Sequence, residues 1–364
     1  MAADDGARRL VTRWGLLLAL PVFLSSNSVL PVQSAPSGAS PMQTTAPRAV
    51  LRALVELPGC FLPQEPFEPW SPDGRYLIVR NMQGVHLLDR TLLKVRPRLI
   101  LAEPRPAAFA WSPDSRWLLC KTEEDRSGIA SLVAMSVDGA RSIPILQRTK
   151  VSSILFWGSD GHVYSWSKNN FSRETLDLPK EINLRGPFER TTKLIRVSSL
   201  GLRRLESDAH GLHDERAIAP GSISDLSTAY PRASFPDGRR FLILIDQYQG
   251  SSYSAVINDE GRVLHLLGKK SFDPDQIYAT SVTPDGRFII GFRSVEAGDQ
   301  GVVGAPIFLV DPQGTWIVRV EGGFNGSYPR CSPKEYVLAF EDPVAGKVVV
   351  CSLNVQGHDR HRVH

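Results

Sequence analysis

The sequence predicts an all-β protein: a six-bladed β-propeller whose N-terminal strand completes the last blade. Three observations point there. One phrase recurs, an aromatic residue, a Ser-Pro-Asp-Gly turn and then an apolar run. Its copies are spaced at the period of a four-stranded unit. The chain also carries a spare strand before the first copy and lacks one after the last. Repetition at a fixed period decides a fold before any single motif does.

The fullest copy is Trp70-Ser71-Pro72-Asp73-Gly74-Arg75-Tyr76-Leu77-Ile78-Val79. Others stand at Trp111-Ser112-Pro113-Asp114-Ser115, Trp157-Gly158-Ser159-Asp160-Gly161, Ser234-Phe235-Pro236-Asp237-Gly238, Val282-Thr283-Pro284-Asp285-Gly286 and Cys331-Ser332-Pro333-Lys334-Glu335. Proline presets φ at the second turn position, Asp tolerates the third, and Gly supplies the positive φ at which the chain re-enters a strand. β-Branched and aromatic flanks suit a pleated, half-buried surface. Each copy therefore reads as a hairpin turn, altered where Ser115 replaces Gly and where Lys334-Glu335 replace Asp-Gly. Counted from the turn Pro, or from Ser159 in its place, successive copies lie 41, 46, 77, 48 and 49 residues apart. A propeller blade takes roughly 40–50 residues. The long step is either one blade with two insertions, 168–192 and 206–228, or two blades of which the second has lost its motif; the polar, turn-rich remainder favours insertion. The two insertions flank an extra strand pair, Lys193-Leu194-Ile195-Arg196-Val197 and Leu202-Arg203-Arg204-Leu205.

In chain order, residues 1–39 read as a secretory signal peptide with its leader. Arg8, Arg9 and Arg13 precede an apolar run at 14–24, and a small-residue exit allows cleavage after Ser34 or Ala39. The apolar run is too short for a comfortable membrane span. Residues 40–49 are a flexible linker. The propeller occupies 50–355, and 356–364 is an aperiodic tail expected to be disordered. Strand 50–57 has no partner before it, while the last unit ends one strand short. Pairing the two closes the ring and hides an edge. The formal charge of +4 forms no basic stripe, which argues against nucleic acid.

The Trp-Ser-Pro-Asp-Gly repeat resembles that of TolB-like six-bladed propellers, a WD-like family of bacterial envelope proteins. The resemblance covers about residues 50–354. It implies the fold. That family carries an α/β domain before the propeller, for which residues 40–60 are too few, so its partner-docking role is not expected to carry over.

Candidate binding residues come from two places. Tyr230-Pro231-Arg232 and Tyr328-Pro329-Arg330 repeat one phrase on strands expected to line the channel, with Glu68 at a similar place. Two Arg in a pore suit a carboxylate, a phosphate or a partner's acidic terminus, although blade-to-blade ion pairs use the same residues. The second insertion holds Asp208, His210, His213 and Asp214, polar enough for ligand contact but without a standard metal spacing. Both insertions are expected on one face of the third unit, near the channel rim. No Gly-x-Ser-x-Gly elbow, P-loop or His-Glu-x-x-His occurs.

Four cysteines allow three pairings. Cys60–Cys351 would clamp the closing strand. Cys60–Cys331 and four thiols are the alternatives, and Cys120 reads as a buried thiol.

The reading that results is an exported, monomeric, non-catalytic scaffold in the periplasm or outside the cell. It binds an envelope or extracellular protein, or a ligand, and needs no cofactor or metal. It keeps no membrane span after processing. The alternative is a small-molecule hydrolase or lyase at the channel mouth. Carboxylates or His converging from several blades would mark the enzyme; an exposed apolar patch on one face would mark the partner.

Overall fold

The computed structural model describes residues 47–356 apart from 64–66, 103–105, 107, 123–124, 126–128, 150–154, 167–172, 183, 185, 187–189, 198–200, 209, 219–228, 247–251, 268–276, 294, 297–301 and 304. The expected signal peptide, most of the linker and the tail lie outside these residues. Among the described residues no helix is long and apolar enough to cross a membrane.

The described strands form seven blades about one axis, not six. Strand β1 (Arg48–Pro58) comes first. Blade one has an inner segment at 68–71, then β2 (Tyr76–Asn81), β3 (Gly84–Asp89) and β4 (Arg98–Leu101). Blade two is β5 (Ala108–Trp111), β6 (Trp117–Lys121), β7 (Ala130–Ser136) and β8 (Ser142–Thr149). Blade three is β9 (Leu155–Trp157), β10 (Val163–Trp166) and β11 (Arg173–Leu176). Blade four is β12 (Thr191–Val197), β13 (Gly201–Asp208) and β14 (Gly211–Ala217).

Blade five is β15 (Ala229–Ser234), β16 (Arg240–Asp246), β17 (Ser252–Asn258) and β18 (Val263–Leu267). Blade six starts with β19 (Ile277–Val282) and β20 (Ile289–Arg293). A small hairpin, β21 (Val295–Glu296) with β22 (Val302–Val303), leads to β23 (Ile307–Val310) and β24 (Ile317–Arg319). Blade seven is β25 (Ser327–Cys331), β26 (Val337–Asp342) and β27 (Lys347–Gln356), with β1 as its outermost strand.

The closing strand pairs antiparallel with β27 from Arg48 opposite Gln356 to Pro58 opposite Lys347, with one bulge after Ala53. Glu56 and Lys347 add an ion pair at 2.8 Å across that seam. Both faces of blade seven are covered, which explains its unbroken apolar strands. Leu338 and Phe340 face blade six, packing with Phe288, Ile290 and Leu309. Val337 and Ala339 face blade one, packing with Trp70, Leu77 and Val79. The period of two in a strand sends alternate side chains to opposite neighbours.

The repeated phrase builds the turn it predicts. In blade one, Ser71 Oγ donates to Asp73 Oδ1 at 2.5 Å and accepts from the Tyr76 amide at 2.9 Å. Asp73 Oδ1 also accepts from the Arg75 amide at 3.0 Å, and Gly74 sits at φ +70°. Thr283, Asp285 and Phe288 repeat the arrangement in blade six. In blade two Ser115 takes the glycine place at φ +59°, a costly region for a side chain. Its hydroxyl accepts the Asp73 amide of blade one at 3.0 Å, a bond that glycine could not make.

The count of six fails at the long repeat step. That step holds the outer part of blade three and all of blade four. The extra strand pair becomes β12 and β13, and residues expected to be insertion loops form β11 and β14. Blade four has no Ser-Pro-Asp-Gly turn, and its threading is reversed. Strands β9 and β15 end at their turns, Ser159 and Gly238. Strand β12 starts there instead. Thr191 Oγ1 lies 2.7 Å from Ser159 Oγ, and Thr192 Oγ1 lies 3.0 Å from the point where a Cβ on Gly238 would sit. At its other end, Arg196 stacks over Tyr230, at the start of β15, 4.1 Å from the ring centre.

The expected Cys60–Cys351 clamp does not form: no disulfide joins any of the four buried cysteines. Cys351 stands opposite Ala53 in the register. Cys60 lies seven residues further along, on the order of 20 Å at strand rise. A bridge needs Cα atoms within about 7 Å.

Candidate functional site: the inner strands

The inner strands of blades one, four and seven bring one carboxylate and two cations together around the axis. Glu68 precedes Trp70, whose indole donates to the Arg330 carbonyl at 3.1 Å. Arg330 is buried, and its Nη1 donates to the Thr280 carbonyl on β19 at 2.9 Å. Thr280 returns a hydroxyl bond to the Pro329 carbonyl at 2.6 Å. Lys193 reaches the group from β12 and feels the charge of Glu68.

Burial pushes the Glu68 carboxyl above its ordinary range, against the pull of Arg330 and Lys193. The same burial pushes the Lys193 amine and the Arg330 guanidinium down, with Glu68 opposing. Glu68 lies deep within the ring yet is open to solvent, so water at the axis moderates that rise. Among the described residues the arrangement sets two cations, Arg330 and Lys193, about one carboxylate, Glu68.

Local backbone irregularities set these side chains. Strands β15, β19 and β25 each break register in mid-strand, between Pro231 and Ala233, Ala279 and Ser281, and Ser327 and Arg330. The residues at or beside these breaks are Arg232, Thr280 and Arg330. A bulge leaves one residue out of the ladder and re-aims it. Arg232 is half-buried on β15.

Two residues before each stands a tyrosine: Tyr230, Tyr278 and Tyr328. All three lie at the starts of their strands, hence on the face opposite the Ser-Pro-Asp-Gly turns. Tyr230 and Tyr328 are 41% and 49% exposed, unusual for aromatic rings beside a packed core. Phe292 links two of them, stacked on Tyr278 at 5.7 Å and tilted against Tyr328 at 5.2 Å between ring centres. Tyr328 also holds φ +51° immediately before a proline, where left-handed backbone is disfavoured twice over. Such a conformation costs about 1–3 kcal/mol and gathers at functional sites.

The other predicted residues lie elsewhere. Asp208, His210, His213 and Asp214 surround the β13–β14 hairpin. Because blade four is reversed, that hairpin sits on the turn face, with Gly211 beside Asp160: a Cβ there would lie 3.7 Å from Asp160 Oδ2. Asp208 accepts the His210 amide at 2.7 Å and pairs with His213 Nε2 at 2.5 Å. These bonds hold its carboxyl below the ordinary range, the His210 amide foremost. Asp214 stands opposite Glu206 in the register. The structure thus joins Glu68 and Arg330, puts Arg232 on a neighbouring inner strand, and leaves the hairpin group apart. Among the described residues no set of three or more His, Cys, Asp or Glu is placed to hold a metal ion.

Sequence reasoning misses Lys193 because it assigns that residue's strand to an insertion-bearing blade three. The signal that could have found it is a Lys directly before the apolar pair Leu194-Ile195 on a strand-forming run. The tyrosines were visible in the repeated Tyr-Pro-Arg phrase, without the meaning of their exposure.

No family model matches the chain, and no curated protein matches it in sequence. In structure it is similar to a putative TolB from Agrobacterium tumefaciens, at 18% identity over 67% of this chain and 73% of that one, TM-score 0.40. It is also similar to the Cps50 (Swd1) β-propeller domain of Myceliophteria thermophila, at 12% identity over 83% and 99%, TM-score 0.48. A chain of the mitotic checkpoint complex gives 13% identity over 90% and 98%, TM-score 0.49.

Proposed function

We propose that this chain is an exported, non-catalytic propeller that binds a protein or ligand at the tyrosine-bearing mouth of its axis, in the periplasm or outside the cell. The observation that carries this reading is the composition of the inner cluster. Arg330 and Lys193 flank a single carboxylate, Glu68, with no second acid or His coupled to it among the described residues. Hydrolase or lyase chemistry wants a paired acid and base of separated pKa, whereas surplus cations beside exposed aromatic rings suit retention of an anionic partner. Export rests on the Arg-led apolar run near the N-terminus.

The test places a photo-cross-linking amino acid at position 328, and in a second protein at position 82, where Met82 is 83% exposed on blade one. Each full chain is irradiated with envelope extract. An adduct at 328 that excess wild-type chain competes away, and that is missing at 82, supports the reading. No adduct at 328, or equal labelling at both sites, overturns it. Fractionation checks export, and absence of the chain from the periplasm and the medium would remove that proposal; N-terminal sequencing then shows whether the leader is cleaved.

A further inference from the structure

We infer that the tyrosine-bearing mouth takes a ligand in which an aromatic ring lies next to a carboxylate; this deepens, and rests on, the binding reading above. Three independent features converge. The first is the three-fold recurrence of Tyr two residues ahead of a residue at or beside a bulge, in Tyr230/Arg232, Tyr278/Thr280 and Tyr328/Arg330. Adjacent blades therefore set rings at one level and polar groups one step deeper. The second is Tyr328 itself, whose ring is kept half in solvent by a left-handed residue before proline. Its tilted contact with Phe292, itself stacked on Tyr278, leaves the rest of the ring open to another aromatic group. The third is the cation surplus below. Lys193 is half-buried and solvent still reaches it, while Arg330 is tied to the Thr280 carbonyl.

The chemistry fits those depths. An incoming ring meets Tyr328, and its carboxylate reaches Lys193 beside Glu68. Glu68 already occupies part of the cationic field and repels a second carboxylate, so it tunes the site toward weak, reversible retention. Two sources share this chemistry: a free aromatic acid, and the C-terminus of a protein ending in an aromatic residue.

The experiment is calorimetric titration of the full chain with matched acids and amides. Hydrocinnamate is compared with its amide, and acetyl-glycyl-phenylalanine with its C-terminal amide. The acid of at least one pair should bind about tenfold more tightly than its amide, as charge-assisted bonds outweigh neutral ones. K193Q should abolish that preference, and E68Q should strengthen binding of the acid. Y328G should weaken acid and amide alike, while Y328F keeps both. The acetyl dipeptide binding the more tightly identifies a protein C-terminus as the source; hydrocinnamate binding the more tightly identifies a free acid. Equal binding of acid and amide, no binding of either, or an acid preference untouched by K193Q overturns the inference. K193Q lies on a half-buried position, and its melting curve reports whether it folds; should it not, Y328G and E68Q decide. Competed cross-linking at 328 with no acid preference would leave the scaffold reading standing and the ligand class wrong. Tight acid binding accompanied by turnover would do the reverse.

Discussion

Blades seven and four are made from similar antiparallel hairpins and share one ring, but they solve the edge problem differently. Blade seven has four strands, two inward-facing apolar layers and a closing strand drawn from the other end of the chain. Blade four has three described strands, runs in the opposite sense and carries Arg204, Glu206 and Ser207 buried on its middle strand. There Glu206 pairs with Arg204 and Arg190. The regular blade is held by apolar alternation on both faces, the reversed one partly by polar pairing. What separates them is the turn phrase. Each blade that begins with an aromatic–Ser-Pro-Asp-Gly copy, full or worn, sends its inner strand toward the turn face. The one that lacks it does not.

The comparison breaks most visibly at the closing strand. Removing residues 1–58 exposes the edge of β27, so the product should lose its cooperative melt and aggregate, as followed by light scattering and calorimetry. A monomer that melts like the parent would show that blade seven stands without β1.

The next test weighs the two blades directly. L338A in blade seven and L205A in blade four both empty positions with no solvent exposure, and each should cost about 2–5 kcal/mol by denaturant titration. An L205A cost well under about 1 kcal/mol would mean that blade four is peripheral to the cooperative unit.

Acid should weaken the motif-bearing blades through the carboxylates of their turns. Hydrogen bonds from Ser136 and the Ala140 amide hold Asp138 low. Burial alone would raise Asp285, but bonds from Tyr336, the Arg287 amide and Thr283 outweigh it and hold it low as well. A carboxyl depressed in the folded state stabilises fully above its unfolded value, about pH 4, and the contribution is lost as pH falls through the lower folded value. Melting temperature should therefore drop below about pH 4, and less steeply in D138N and D285N. Parallel slopes in all three proteins would discard this account.

The smallest effect is expected at Ser115. S115G relieves the positive φ but deletes the acceptor for the Asp73 amide, two changes of opposite sign and about 1 kcal/mol each. The net shift should stay within about 1 kcal/mol in either direction; a larger loss would make that bond a principal tie between blades one and two.

Most of the ring could be read because its turns are local. A Ser-Pro-Asp-Gly turn is specified within six residues, from Ser71 to Tyr76, by bonds that those residues make among themselves. Ring closure was legible for another reason: residues 50–57 and 347–353 are apolar strands, each with one unmet edge. Blade four was legible only as the disfavoured reading of the long step, and its direction was not legible at all. Its hairpins carry no such turn, and its polarity follows from contacts of Thr191, Thr192 and Arg196 with neighbouring blades. For the same reason the cluster was half seen. Glu68 and Arg330 stand beside motif copies, while Lys193 is far away in sequence and meets them only across the axis.

The closing strand also sets an order in time. Glu56 bonds to Lys347, 291 positions later, so the first of the described strands to be made is the last of them to find its partner. At a synthesis rate of about 5–20 residues per second, β1 waits roughly 15–60 s with its edge unpaired. During that interval the ring is an arc with two sticky ends, and whatever shields Val50 and Leu51 from other chains then decides how much of the protein is ever completed.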